Sequence, residues 1–523
     1  MTVDVDRSVP AGRSALPRIR RTARPRGRRH LVAAVCLGLA GILAACSNAD
    51  QAGPAPSSSA TTSRNPNIYL QQRGEGVQRL LDELGRTLRA GDVRALDALI
   101  DPTADPAFRS RLHVEAGALA GRKPPQSPGT RPTATRTPPT LPAPTSAPRS
   151  GSAPAAPRTP SRTTRVPTEA DRGSPLRFTE FRYQVTPTEE ADAPVPADIQ
   201  QRLDAAGSSD SWVAPVELRY ALGGSSVPGV DEPEIAVGAQ LIVARYGDEW
   251  KIVGYPPGAD TAPPAQLWDF PGVAARDVPT AGGTSTVVSY PDTAATVVRL
   301  SSQLPTAVAA VSRFWGDGWP RRAVLVATAD RAAFDGLTRS SGTTANAAAA
   351  SVFANLNTAS DTVTGQRIVF APTVGDLPAP ALAVVLRHEL THIAARTDTA
   401  PTAPVWLTEG VAEYVGRTGT YVRFADAAPE LTTAVRDGRL PTGLPADSDF
   451  AVDASTSAVA YQSAWSLAAF IADRYGEDRL KKLYVQAASG DAAKTDPAIR
   501  AVLGTDRTRL LDEWRRWLTE QVR

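Results

Sequence analysis

The sequence predicts an α+β chain in two parts: a module of helices and an antiparallel meander, followed by a mostly helical domain with a small sheet. Three observations carry this. Apolar residues recur at helical spacing from Ile68 to about Ala120, and again around Val384, Trp406, Tyr461 and Leu510. Between these lie β-prone runs bounded by turn residues, at Leu176 to Tyr183, Trp212 to Leu222, Ala236 to Arg245 and Trp250 to Tyr255. Abrupt shifts in composition divide a chain of 523 residues, which is long enough for two or three domains.

Residues 1–45 open with arginines (Arg18, Arg20, Arg21, Arg24, Arg26, Arg28, Arg29), turn apolar from Leu31 to Ala45, and end Leu43-Ala44-Ala45-Cys46. The apolar run is too short for a comfortable membrane span and reads as a secretory signal. The small residues before Cys46 resemble a bacterial lipobox, which implies a lipid on Cys46 and a membrane anchor on the extracytoplasmic face. An uncleaved amino-terminal anchor would leave the body on the same side, and Arg28-Arg29 leaves ordinary and twin-arginine export both open. The second of the two cysteines, Cys36, lies within the leader, so no disulfide is expected in the mature chain. The nine arginines and two aspartates before residue 46 account for +7 of the formal net charge of +3, leaving −4 for the remainder. A mildly acidic body with no basic cluster argues against nucleic acid as a partner.

Residues 46–66, rich in Ser, Ala, Thr and Pro, read as a lipidated tether. In the module, residues 67–257, Val77, Leu80, Leu81, Leu84 and Leu88, then Leu96, Leu99 and Ile100, predict two or three helices. The Pro/Thr-rich stretch 122–173 lacks the apolar content to order itself and reads as a disordered insertion. The strand runs follow, with Tyr246-Gly247-Asp248-Glu249 as a hairpin turn. Helices followed by a curved meander resemble the NTF2-like (cystatin-like) fold. Residues 258–280 are expected to be a linker, and residues 281–523 a second domain. That domain begins with a strand at Thr286 to Tyr290, a helix at Ala294 to Phe314 and a strand at Ala323 to Ala327. The run Gly365 to Ala371 is either a sheet edge able to pair with a peptide or an ordinary core strand.

The chemistry sits in Arg387-His388-Glu389-Leu390-Thr391-His392. His-Glu-x-x-His on a helix points two imidazoles at one ion and sets Glu389 beside them, able to polarise water at that ion. Chance is a weak explanation. The chain has four histidines, and only three (His113, His388, His392) lie beyond the leader. Zinc needs a third protein ligand, and Glu409, near the start of the helical run Val405 to Tyr414, is the natural candidate. Glu413, one turn on, either accepts a hydrogen bond from a ligand histidine or is an exposed helix carboxylate.

With Trp406-Leu407-Thr408-Glu409-Gly410-Val411-Ala412, the pair of motifs resembles the gluzincin, thermolysin-like metallopeptidases. The resemblance implies zinc bound by His388, His392 and Glu409. It also implies Glu389 as the general base that activates water and then passes its proton to the leaving amine. Tyr461 falls where aminopeptidase-like members carry a tyrosine that stabilises the oxyanion; a packed core tyrosine is the other reading. The Gly-x-Met-Glu-Asn segment that holds a substrate amino terminus in those exopeptidases is absent. The sequence thus predicts a lipid-anchored zinc metallopeptidase acting on a peptide or protein. A surface binding or scaffolding lipoprotein with an idle site is the alternative.

Overall fold

The computed structural model describes residues 68–121, 173–186, 193–223, 232–258, 261–339, 347–451 and 456–523. The expected leader, Cys46, the tether and the stretch 122–172 lie outside these residues.

The first part begins with α1 (Ile68–Ala90), whose Val77, Leu80, Leu81, Leu84 and Leu88 form one buried stripe. Asp92 caps α2 (Val93–Leu99) through the Ala95 N–H at 3.1 Å, and Asp105 with Pro106 starts α3 (Pro106–Leu119). Strand β1 (Phe178–Val185) leads to α4 (Ala197–Ala205), which the apolar pattern of the sequence did not suggest. Strands β2 (Asp210–Leu222), β3 (Ile235–Tyr246) and β4 (Glu249–Gly254) complete an antiparallel sheet in the order β1-β2-β3-β4. The β3–β4 turn falls where Tyr246-Gly247-Asp248-Glu249 predicts it, with Gly247 at φ +62°.

Residues 258–280 are not a plain linker. Leu267 and Trp268 are buried against the first sheet, where the Trp268 ring meets Tyr220, Phe178 and Phe181 edge-on at 4.9, 5.4 and 5.5 Å. The chain then enters β5 (Ala274–Thr280), which pairs with β6 (Gly283–Ser289). Next come α5 (Ala294–Trp315), β7 (Val324–Ala327), α6 (Arg331–Thr338) and β8 (Ala349–Val352). The small hairpin β9 (Asn355–Asn357) and β10 (Thr362–Thr364) precedes β11 (Arg367–Phe370). The second sheet runs β5-β6-β7-β11-β8, parallel from β6 through β7 to β11 and antiparallel at both ends.

Alternation across this sheet sends its side chains to two cores. Val287, Leu325, Ile368 and Phe370 pack with α5 and the helix that carries the histidines, whereas Val288, Val326, Val369 and Ala350 pack with the first module. Arg367, 6 % exposed on β11, forms a paired salt bridge to Glu232, with Nη2 2.8 Å from Oε2. The two parts therefore pack on opposite faces of one sheet.

The remaining chain is helical: α7 (Ala379–Ala395), α8 (Val405–Arg417), α9 (Phe424–Ala427), α10 (Pro429–Arg436), α11 (Ser457–Tyr475), α12 (Glu477–Ala487), α13 (Thr495–Ala498) and α14 (Arg507–Val522). Among the described residues no helix is long and apolar enough to cross a membrane.

The first module also buries an acid pair. Arg111 donates to Glu115 (2.9 Å) and to Asp269 (3.1 Å), and burial, reinforced by the Asp269 charge and opposed by Arg111, pushes Glu115 up to about 8. The folded chain thus holds a proton that the unfolded chain releases near the ordinary value of 4.5. The stabilisation is complete below that pH and is lost as pH rises through about 8. The unfolding free energy is expected to fall by at most about 1.4 kcal/mol per pH unit between pH 5 and 8. Glu115→Gln flattens that slope in denaturant titrations; an unchanged slope would assign the proton elsewhere.

Candidate active site

Three helices build the site. On α7 the i, i+4 spacing stacks His388 over His392, and the two rings meet at 75° with centroids 4.8 Å apart. Helix α8 crosses α7 and brings Glu409 to them. Its approach depends on glycine: a Cβ on Gly416 would stand 3.0 Å from the Val384 carbonyl oxygen of α7, and one on Gly410 only 2.6 Å from the Ala464 carbonyl oxygen of α11. Gly410→Ala therefore pushes α8 off α11 at a cost of about 2 kcal/mol. We expect a melting temperature several degrees lower, together with weaker metal binding, in thermal melts and metal titrations.

The Nε2 atoms of His388 and His392 are 3.0 Å apart, and Glu409 carboxylate oxygens lie 3.3 Å from the first and 3.6 Å from the second. The Glu409 carboxylate thus turns Oε2 to His388 and Oε1 to His392, and one ligand atom from each residue lies within 4.8 Å of the others, close enough to share one ion. All three residues are buried, as is Glu389. Glu409 Oε2, although near His388, is not aligned for a hydrogen bond. Among the described residues, it and Glu389 Oε2 are buried without hydrogen-bond partners. Buried carboxylate oxygens are costly when unsatisfied, and a cation relieves that cost.

The protonation pattern points the same way. Burial opposes a charge on His388, yet the carboxylates of Glu409, Glu413 and Glu389 outweigh it and push the imidazole up to about 9. Burial, then the His388 charge and Arg396, hold His392 well below its ordinary value. Burial pushes Glu389 up to about 7, opposed by His388 and reinforced by Glu409. Among the described residues, His388, His392 and Glu409 form the group able to hold a metal ion.

Glu413 Oε1 lies 3.6 Å from His388 Nδ1, the nitrogen that faces away from the triangle. Arg417, one turn further along α8, binds Glu413 and the Ala427 carbonyl and stacks over Trp465 at 5.6 Å. Sequence reasoning missed Arg417, although its i+4 spacing from Glu413 was the available signal. Tyr461, on α11, lies in the wall of the same cleft, its ring edge-on to Phe450 at 5.1 Å. The cleft, about 400 Å³, is walled by Ala347, Ala348 and Ala349 on one side and by Ser457 and Tyr461 on another, with His388 and Glu389 among its lining.

The sheet decides between the two readings of one run. The run Gly365 to Ala371 is not the sheet edge: β11 is flanked by β7 and β8, so it is a core strand. The edge beside the cleft is β8. Arg396, which the sequence did not single out, closes the far end of α7 and is 9 % exposed.

Residues 378–520 match the model of the Peptidase MA superfamily. The match takes in α7, α8 and α11, hence every residue of the triangle, Glu389, Glu413 and Tyr461, and leaves out the first module and the five-stranded sheet. It supports a peptidase domain at this end of the chain. Among curated proteins, none matches the chain.

Proposed function

We propose that the chain is a zinc metallopeptidase, held by a lipid on Cys46 at the extracytoplasmic face of a membrane, with its peptidase part resting on an NTF2-like module. The observation that carries the activity is the buried His388, His392 and Glu409 triangle, with the unpartnered Glu389 carboxylate beside it, at an open cleft. Zinc suits two imidazoles and one carboxylate and, when bound, supplies Lewis-acid charge to the reacting carbonyl and water.

The chain's own residues do the rest. Glu389 accepts a proton from the attacking water and delivers it to the leaving amine, both roles open to a buried carboxylate beside the ligand triangle. Tyr461 donates its phenol hydrogen bond to the carbonyl oxygen as charge develops there. Glu413, held by Arg417, orients His388.

The anchor is supported by the basic and then apolar leader ending at Leu43-Ala44-Ala45-Cys46. The NTF2-like reading is supported by helices packed on a curved antiparallel meander. Its interior holds a cavity of about 20 Å³, with Gln266, Trp268 and Asp269 in the lining, which suits a support rather than a ligand receptor.

A quenched peptide library incubated with the full chain tests this reading. Cleavage that stops with a chelator and returns with zinc is the expected result. No cleavage by the zinc-loaded chain would favour a binding lipoprotein with an idle site.

A further inference from the structure

A second pocket, of about 250 Å³, lies at the end of the five-stranded sheet where the parallel strands β6, β7 and β11 begin. Among the described residues, none lines both this pocket and the metal cleft. Alternation puts Thr284 and Thr286 on the face of β6 that carries Val288 into the module's core. Both line the pocket, and they are only 3 and 8 % exposed. Val324 of β7 and Gln366, just ahead of β11, line it beside them.

Two polar atoms of this lining are orphaned. Among the described residues, Thr284 Oγ1 and Gln366 Oε1 are buried without hydrogen-bond partners. Each is costly in a folded chain, and a molecule that bonds both relieves that cost. A water could bond either atom, but one water needs only about 10–15 Å³ of such space. The charges in the lining balance: Arg322 and Asp361 contribute one of each sign, and Glu232 is neutralised by its pair with Arg367. Val324, Val363 and Ile393 add apolar wall. The rim is held in sparsely populated backbone conformations, with Asp361 at φ +49° and Arg321, which precedes Arg322, at φ +53°. Such residues cluster where a ligand is clamped.

We propose that this pocket binds one neutral, polyhydroxylated molecule, a monosaccharide of hexose size. A hydroxyl both donates and accepts, so adjacent hydroxyls on one ring can serve the Thr284 hydroxyl and the Gln366 amide oxygen together. Arg322 then donates to a further ligand oxygen, and Asp361 accepts from a further ligand hydroxyl. The C–H faces of the ring lie on Val324, Val363 and Ile393. Balanced charge disfavours a free anion or cation, either of which would leave one of Arg322 and Asp361 facing its own sign. The volume falls below the roughly 300 Å³ at which sites for drug-sized ligands begin, which suits a single ring. The proposal does not rest on the peptidase reading, although Ile393 directly follows the ligand residue His392.

The test is calorimetric titration of the full chain with D-glucose and N-acetyl-D-glucosamine, with alanine and inorganic phosphate as a zwitterion and an anion of comparable or smaller size. Saturable binding of at least one sugar, and of neither comparator, is expected. The same sugar should raise the melting temperature as its concentration rises, by mass action. Thr284→Val keeps the shape of the side chain and removes the orphaned hydroxyl. Sugar affinity should fall about ten-fold, because the ligand hydroxyl it met is left unpaired. Without sugar the variant should melt no lower than the wild type, because the group removed is one the fold leaves unsatisfied. Gln366→Leu, on a different strand end, should weaken the sugar similarly. No sugar binding by the wild type overturns the proposal whether or not either variant folds, and would mean a pocket filled by water only. Equal sugar affinity in both folded variants overturns it by placing the sugar elsewhere, and binding of alanine or phosphate alone overturns the ligand class. A lower melting temperature of sugar-free Thr284→Val also overturns it, since the hydroxyl would then serve the fold.

Discussion

Glu389→Gln is expected to lower peptide hydrolysis by about 10²- to 10⁴-fold while leaving the metal content unchanged. The side chains are nearly isosteric, so the replacement fits the same buried place, where Glu389 is 2 % exposed. Glu389 lies outside the ligand triangle, and its Oε2 has no hydrogen-bond partner among the described residues. Only the capacity to take up a proton is removed. Parallel measurements of kcat and metal content separate this from a folding defect. Retained hydrolysis in a metal-loaded Glu389→Gln chain would place the proton acceptor on another residue.

Glu409→Ala is expected to lose the metal, and with it all activity that a chelator can remove. Two neutral imidazoles remain, but the carboxylate that offsets the charge of the ion and completes the ligand set is gone. Glu413→Gln provides a graded comparison. Its carboxylate faces His388 Nδ1 and does not belong to the triangle, so we expect metal affinity to fall by only about 10- to 100-fold. Metal titrations with a competing chelator rank the two. If Glu413→Gln proved as damaging as Glu409→Ala, the assignment of the third ligand would have to change.

Much of the site was legible because its logic is local. The i, i+4 rule places His388, His392, Glu409 and Glu413 on helix faces from spacing alone, and Glu409 follows from zinc's need for a third ligand. The cleft wall was not legible. Ala347 to Ala350 are strong helix formers in isolation, yet β8 is a strand because it pairs with β11, and its small side chains leave room for the cleft. The Gly365 to Ala371 run was open to an edge reading for a related reason: whether a strand is central depends on partners distant in sequence, here β7 and β8. Residues 258–280 lack a periodic pattern, and what holds them comes from distant partners: three rings of the first module around Trp268, Arg111 at Asp269 and β6 along β5.

The shared sheet also ties stability to the site. One face of β7 and β11 packs on α5 and α7, the other on the first module, and the Arg367–Glu232 pair joins the two parts at β11. The sheet beside the helix that carries His388 and His392 is thus backed by the module.

The central claim is that His388, His392 and Glu409 hold one zinc ion facing the cleft. An anomalous difference map from a crystal of the zinc-loaded chain, recorded at the zinc absorption edge, tests it most directly. The account predicts a single peak in contact with His388 Nε2, His392 Nε2 and the Glu409 carboxylate, with its open side towards Glu389 and Tyr461. A peak elsewhere, or none at this triangle in protein shown to contain zinc, would contradict it.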